Sequence, residues 1–121
     1  MTQRELIDLC LEMPHSYEDY PYDDVTPVLR HVVNKKTFAI VGETNDGNCK
    51  RAAVTLKCDP FEADSLRQMF KDVNPGYHCN KTHWNTVALG GDVPLEEVKR
   101  QIEASFNLIK PKIRKRKPDK E

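Results

Sequence analysis

The sequence lacks several features that would assign it to a common functional class. No stretch approaches the ~20 consecutive apolar residues that a membrane-spanning helix needs. The N-terminus has neither the basic region nor the apolar region of a signal peptide. Its five glycines form no glycine-rich phosphate-binding loop. These absences predict a cytoplasmic protein that has no membrane contact and no P-loop chemistry.

Cysteine is present but sparse. The four cysteines, Cys10, Cys49, Cys58 and Cys79, include no CxxC pair and have no secretory context. Three disulfide pairings are possible for four cysteines, but reduced thiols are the expected state in a reducing compartment.

The formal net charge of zero hides a strong asymmetry along the chain. Residues 1–25 carry one Arg against seven Asp or Glu, whereas residues 110–121 carry seven Lys or Arg against two acids. The region between them is nearly balanced. The chain is therefore acidic at its start and basic at its end.

Hydrophobic periodicity and turn signals predict the secondary structure. They indicate helices over 2–13, 60–73 and 94–109, and strands over 28–33, 37–43, 50–58 and 84–89. Residues 14–27 are predicted to be an extended connection, and Asp46-Gly47 a hairpin turn. Short turns between successive strands require antiparallel pairing. We expect one α+β domain over 1–110, with an antiparallel sheet covered by helices on one face, and a disordered basic tail over 111–121.

The segment "YHCNKTHWNT" (77–86) is dense in chemically active side chains, but it is a poor metal or catalytic site. His78, Cys79 and His83 are potential ligands, with Cys58 as a fourth. Adjacent ligands point to opposite sides of a strand, and structural zinc sites usually draw spaced pairs from two separated segments. A Cys–His nucleophile would also need an orienting group and an oxyanion hole, and neither is evident. We expect no cofactor and no enzymatic activity.

Basic residues at predicted strand ends and turns favour nucleic-acid binding instead. These residues are Lys35, Lys36, Lys50, Arg51, Lys57 and Lys81. Near Lys81 lie Asn80, His83, Trp84 and Asn85, which can hydrogen-bond to phosphates or bases, or stack. The basic tail would add a salt-sensitive contribution.

Two alternatives remain open from the residues alone. Glu5, Asp8 and Glu12 share one helix face and could bind a hard cation. The sheet face without helices could instead bind a protein partner.

The run "GYHCNKTHWNTVALGGDVPLEEVKRQIEASFNLI" (76–109) resembles the MmcQ/YjbR family, as do the upstream "TFAIVGE" and "VTLKCDP" segments. The resemblance covers about 4–113. It implies a fold similar to that of CyaY, the bacterial frataxin, and a DNA-binding role in which two β-hairpin wings embrace the duplex. The family pattern falls on Lys57, His78, Asn80, Lys81, His83, Trp84 and Asn85. Tyr22, Cys79 and Phe106 depart from it.

From the residues and the resemblance together, we expect a monomeric DNA-binding protein of low sequence specificity. In this interpretation the lysines contact phosphates, and Asn80, Asn85 and the histidines make polar contacts. Trp84 packs within the protein and does not stack on a base.

Overall fold

The computed structural model describes residues 2–46, 49–76 and 80–111. Within these residues the chain forms three helices and six strands. In chain order they are α1 (Gln3–Cys10), β1 (Ser16–Asp19), β2 (Val28–His31), β3 (Thr37–Asp46), β4 (Cys49–Lys57), α2 (Pro60–Met69), β5 (Val73–Pro75), β6 (Trp84–Ala88) and α3 (Leu95–Ile109). The strands make one antiparallel sheet in the order β1-β2-β3-β4-β6-β5. The predicted α+β class is confirmed.

The helices begin where the sequence places their capping residues. Thr2 and Glu5 form a capping box at α1, in which each side chain accepts the other's backbone N–H. The Asp59 carboxylate accepts the N–H groups of Phe61 and Glu62 at the start of α2. No helix in the described part of the chain is both long enough and apolar enough to cross a membrane.

Strand alternation gives the sheet two different faces. On β4, Ala52, Val54 and Leu56 belong to the apolar core, together with Val41 on β3 and Val87 on β6. Each of the three helices adds buried residues to this core, and the helices contact β3, β4 and β5. The intervening residues of each strand point to the opposite face, which no described helix covers. The prediction of helices on one face is therefore correct.

Two strands were missed by sequence reasoning. β1 lies in the predicted connection, and its burial is intermediate throughout, so it has no alternating apolar pattern to signal a strand. The predicted helix over 60–73 includes Val73, but α2 ends at Met69, and Val73 pairs with Val87 in β5. Val73 follows Phe70 at helical spacing, which favours a helix, but it is buried as a strand residue, whereas Phe70 is only partly buried.

The β3–β4 hairpin is longer than predicted, and its register extends to the pair Asp46 and Cys49. The predicted turn residue Gly47 lies outside the described residues. At the start of α3, Leu95 is 45% exposed, whereas Val98 and Ile102 further along the helix are buried.

Ser105 joins α3 to the two central strands. Its hydroxyl donates to the Phe38 carbonyl at 2.6 Å and accepts the Lys57 N–H at 2.9 Å. The side chain is fully buried. Ser105 therefore provides a hydrogen-bond partner for one backbone carbonyl and one backbone N–H at the ends of β3 and β4.

Ser105→Ala should lower the free energy of unfolding by about 1–3 kcal/mol, because it leaves these two shielded backbone groups without a partner. Urea unfolding followed by circular dichroism measures the change. Asn107→Ala, two residues along on the exposed side of α3, is the control and should change stability by less than about 0.5 kcal/mol. Equal effects of the two substitutions would contradict the assigned role of Ser105.

Candidate nucleic-acid interface

Antiparallel topology brings most of the predicted basic and polar residues to one end of the sheet. The turn between β2 and β3 carries Lys35 and Lys36, and Lys57 ends β4 opposite Trp84. The segment before β6 carries Asn80, Lys81 and His83. We call the surface formed by Lys35, Lys36, Lys57, Asn80, Lys81, His83 and Lys110 the lysine end.

Lys110 joins this surface through the end of α3. The Asn34 side-chain amide, in the β2–β3 turn, donates to the Ile109 carbonyl at 2.8 Å. This contact holds the last turn of α3 beside the turn that carries Lys35 and Lys36. Lys110 is exposed and follows immediately. The basic residues that follow in the sequence, over 112–121, lie outside the described part of the chain.

Arginines and lysines have different roles in the described residues. Each of the five arginines there forms an ion pair or a hydrogen bond inside the protein, namely Arg4, Arg30, Arg51, Arg67 and Arg100. No ion pair joins a lysine side chain of the lysine end to a described acid. Two acids that lie near Lys57 in the chain are already engaged, Asp59 as a helix cap and Glu62 with Arg100 at 2.9 Å. The ammonium groups of this surface are thus available to an external anion.

Arg67 on α2 fixes the segment that leads into β6. Its guanidinium donates to the Asn85 side-chain oxygen at 2.6 Å and to the Trp84 carbonyl at 3.3 Å. It also donates to the Lys81 carbonyl. One rigid donor therefore holds the backbone on both sides of His83. Nothing in the spacing of the sequence pointed to Arg67, since its partners are 14 to 18 residues away.

Backbone contacts complete the local geometry of this segment. The Asn80 side-chain oxygen accepts the Thr82 N–H at 2.9 Å, and the Asn80 carbonyl accepts the His83 N–H at 3.1 Å. The His83 carbonyl accepts the Cys58 N–H at 2.7 Å, which ties the segment to the end of β4. Asn80 and Lys81 remain exposed. The turn is therefore fixed by its backbone while its side chains face outward.

Trp84 is half-buried and lies against the backbone of Gly76. A Cβ atom at Gly76 would stand 2.7 Å from the Trp84 Cβ, closer than real Cβ atoms approach. Only glycine fits at position 76, because the crowding is with the Cβ and backbone atoms of residue 84. Strand alternation places Trp84 with Thr86 on the sheet face that no described helix covers, so the packing of its ring within the protein stays a prediction.

Comparison with known proteins identifies the family. The family model described as YjbR matches residues 11–108, most of the chain.

The chain belongs to the YjbR family.

Curated relatives support the assignment. An Escherichia coli K12 protein named YjbR is 35% identical over 106 residues, which cover 88% of this chain and 85% of the relative. The Bacillus subtilis protein YyaQ is 30% identical over 118 residues, covering 91% and 99%. The names of these two relatives state no activity or ligand.

Solved structures show the same fold. A crystal structure of a Pseudomonas syringae protein superimposes with a TM-score of 0.77 at 30% identity, covering 91% of this chain and 100% of that one. A Deinococcus radiodurans protein with a DUF419 domain gives a TM-score of 0.75 at 36% identity, covering 89% and 78%. The YjbR-family fold expected from the sequence is therefore confirmed.

Two predicted phosphate contacts lie elsewhere. Lys50 pairs with Asn45 beside the β3–β4 hairpin tip, at the opposite end of the sheet from Lys57. Lys50 and Lys57 are seven residues apart along β4, which corresponds to a distance of about 20 Å. Arg51 is on the same distant end, and its guanidinium forms an ion pair with Asp72 at 2.9 Å and donates to the Leu89 carbonyl at 2.8 Å. Neither residue shares the lysine end, and Arg51 is committed to internal contacts.

Asn85 is also an internal residue of this YjbR-family fold. It is 1% exposed, on the helix-covered face, where it accepts from Arg67 and donates to the Ala63 carbonyl at 3.2 Å. It cannot contact DNA from this position, so its predicted role is wrong. The reason is register: Asn85 pairs with Leu56, a core residue, whereas Trp84 and Thr86 face the other side.

The remaining predicted groups have mixed positions. His78 and Cys79 lie outside the described residues. Cys10 and Cys58 are buried free thiols, and burial raises their pKa values to about 12 and about 11.

The acidic side chains of α1 already have partners in the protein. The Glu5 side chain accepts the Thr2 N–H, and Asp8 pairs with Arg4 at 2.8 Å. Within the described ranges no three His, Cys, Asp or Glu side chains are grouped to hold a metal ion.

Replacing the buried asparagine should test its structural role. Asn85→Ala removes one partner from the Arg67 guanidinium and one from the Ala63 carbonyl, so the free energy of unfolding should fall by about 2–3 kcal/mol. Urea unfolding measures this loss. Asn80→Ala, in the same segment but exposed, is the matched control and should cost less than about 1 kcal/mol. A stable Asn85→Ala protein would contradict the internal role.

The Arg51–Asp72 pair should make stability depend on pH. Hydrogen bonds from Arg51 lower the pKa of Asp72 to about 2, with a further contribution from the Asp92 N–H. Because the pKa of Asp72 is lower in the folded state than in the unfolded state, the ionised carboxylate stabilises the fold. This stabilisation is complete at pH values above the unfolded-state pKa near 4 and is lost as the pH falls toward 2. Both side chains are less than a fifth exposed, so the pair is only partly screened.

We expect the wild-type free energy of unfolding to fall by about 1–2 kcal/mol more than that of Asp72→Asn between pH 5 and pH 2. Urea unfolding at several pH values gives both curves. Other carboxylates titrate equally in the two proteins, so parallel curves would contradict the assigned pair.

Proposed function

We propose that the protein binds DNA through the lysine end, mainly by contacts to phosphates and with low sequence specificity. The observation that carries the proposal is the gathering of Lys35, Lys36, Lys57 and Lys81 at one end of the sheet, on separate elements, with none of them paired to a described acid. Phosphate contacts of this kind position a protein on DNA without reading its sequence.

The dimensions of the lysine end suit a duplex. From the β2–β3 turn to the segment before β6, the surface spans about three strand spacings, or about 14 Å. The major groove of B-DNA is about 12 Å wide, so lysines at the two sides of this surface could reach phosphates on its two edges. Asn80 and His83, which flank Lys81 in the segment before β6, would supply further hydrogen bonds.

The location of Lys50 changes the mechanism expected from the family resemblance. A hairpin wing would place the β3–β4 tip on the DNA, but that tip is at the opposite end of the sheet from Lys57 and Lys81. We therefore place the duplex against the lysine end alone. The basic residues that follow Lys110 in the sequence would add a nonspecific attraction.

The proposal describes a binding protein and not an enzyme. Nucleophilic cysteines have lowered pKa values, whereas those of Cys10 and Cys58 are raised. We also propose that the protein acts as a cytoplasmic monomer. The two free thiols agree with a reducing compartment. A metal-binding role through α1 is less favoured, since Glu5 caps the helix and Asp8 pairs with Arg4.

The double variant Lys57→Ala/Lys81→Ala should bind duplex DNA about tenfold more weakly at low salt. Each lysine that contacts a phosphate releases about one counterion, so the slope of log affinity against log salt concentration should decrease in magnitude by about 2. Fluorescence anisotropy of a labelled duplex, titrated at four salt concentrations, measures both quantities.

A matched control separates local contacts from net charge. Lys50→Ala/Lys71→Ala removes the same charge from the opposite end of the sheet and should leave the salt slope unchanged. Absence of binding by the wild-type protein at low salt, or equal loss in the two double variants, would contradict the proposal.

A further inference from the structure

The sheet face opposite the helices contains a hollow of about 450 Å³. Its floor crosses three neighbouring strands at Gly42 on β3, Ala53 on β4 and Ala88 on β6. Ala53 and Ala88 are each less than a tenth exposed although no described helix covers them. These three small residues thus form a recessed floor that is about 10 Å wide, since it spans two strand spacings. The volume lies in the usual range of small-ligand sites.

Gly42 is the most informative residue of this floor. It pairs regularly with Ala53, without a bulge, and its backbone has no positive φ that would require glycine. A Cβ atom added there would meet nothing within 4 Å. Neither backbone strain nor crowding explains a glycine in the middle of a central strand, where it weakens the sheet. A glycine at such a position is typical of a place where a ligand approaches the backbone closely.

Among the described residues, the walls of the hollow are polar and present no unpaired charge. Threonine hydroxyls and an amide surround the floor, from Thr44, Thr55, Asn74 and Thr86, and the Thr55 and Thr86 hydroxyls lie 2.8 Å apart. Of the two acids at the rim, Asp72 is paired with Arg51. The other, Glu43, pairs with the core residue Ala52, and strand alternation directs it to the opposite face. The described lining residues therefore offer no counter-charge to a charged ligand.

We propose that this hollow binds an uncharged planar heterocycle with hydrogen-bonding edges, the chemical class that includes the nucleobases. A flat ring can lie against a floor of glycine and alanine, where no side chain extends beyond Cβ. The surrounding hydroxyl and amide groups can then donate to and accept from the ring edges. This site is on the sheet face and shares no residue with the lysine end, so it does not depend on DNA binding.

Titration of the ¹⁵N-labelled protein with adenosine, guanosine, cytidine and thymidine tests the proposal. At least one nucleoside should shift the amide resonances of Gly42, Ala53 and Ala88 in a saturable way. Ribose alone should not, because it has no planar ring. Adenosine monophosphate should bind no more tightly than adenosine, because the described lining residues include no cation for the phosphate.

Gly42→Val provides the decisive variant. Its side chain would project into the empty space over the floor and weaken nucleoside binding by about tenfold or more. The midpoint of urea unfolding should equal or exceed that of the wild type, because valine favours strands. Gly42→Ala adds only one methyl group and gives a smaller loss of affinity, which keeps the test valid if valine disturbs the sheet. Glu43→Val, the adjacent residue directed to the other face, should bind as the wild type does.

Other outcomes would overturn the proposal. These are the absence of shifts at Gly42, Ala53 and Ala88 with all four nucleosides at millimolar concentration, binding that persists in both Gly42 variants, or shifts confined to Lys57 and Lys81. Lys57→Ala/Lys81→Ala should leave nucleoside binding unchanged, so failure of this site and failure of the proposed DNA contact are distinguishable.

Discussion

The pleat of the central strands is the constraint on which the rest of the molecule depends. Because successive residues of β4 point to opposite faces, Val54 and Leu56 enter the core while Ala53 and Thr55 line an uncovered face. With helices on one side only, the same strand both stabilises the fold and forms the floor of a hollow. A register shift of one residue would move the core residues into solvent, so packing of the helices fixes the open face as well.

The separation of arginine from lysine follows from their chemistry. The planar guanidinium can hold several backbone and side-chain oxygens at once, as Arg67 holds Asn85 and two carbonyls, and Arg51 holds Asp72 and Leu89. Lysine has a flexible stem and a compact charge, which suits a solvated surface that meets phosphates. In the described part of this YjbR-family protein, arginines join elements together and the lysine side chains form no ion pairs.

Sequence reasoning found the parts of the fold that have strong local signals. Asp59 and Pro60 begin a helix, and three alternating segments form an antiparallel meander, as predicted. It missed β1 and β5 because each is short, and because their stability comes from pairing with β2 and β6 and not from their own pattern. It named Lys57 and Lys81 as phosphate contacts without showing that they are neighbours, and strand pairing brings them to the same end of the sheet. It misjudged Arg51 and Asn85, since a polar side chain does not reveal whether its partner is a phosphate or a distant backbone group.

The sequence by itself determined the family, the α+β class and the excess of positive charge on particular turns, because these follow from local periodicity, capping residues and a specific motif. Only the tertiary structure decided which lysines share a surface, and that Lys50 is not among them. It also decided that Gly42 lines a hollow in which an added Cβ atom would meet no other atom within 4 Å. These properties depend on strand order and register, which bring together residues far apart in the chain. They cannot be predicted from any single segment of the sequence, because each depends on how two or more strands and helices are placed relative to one another.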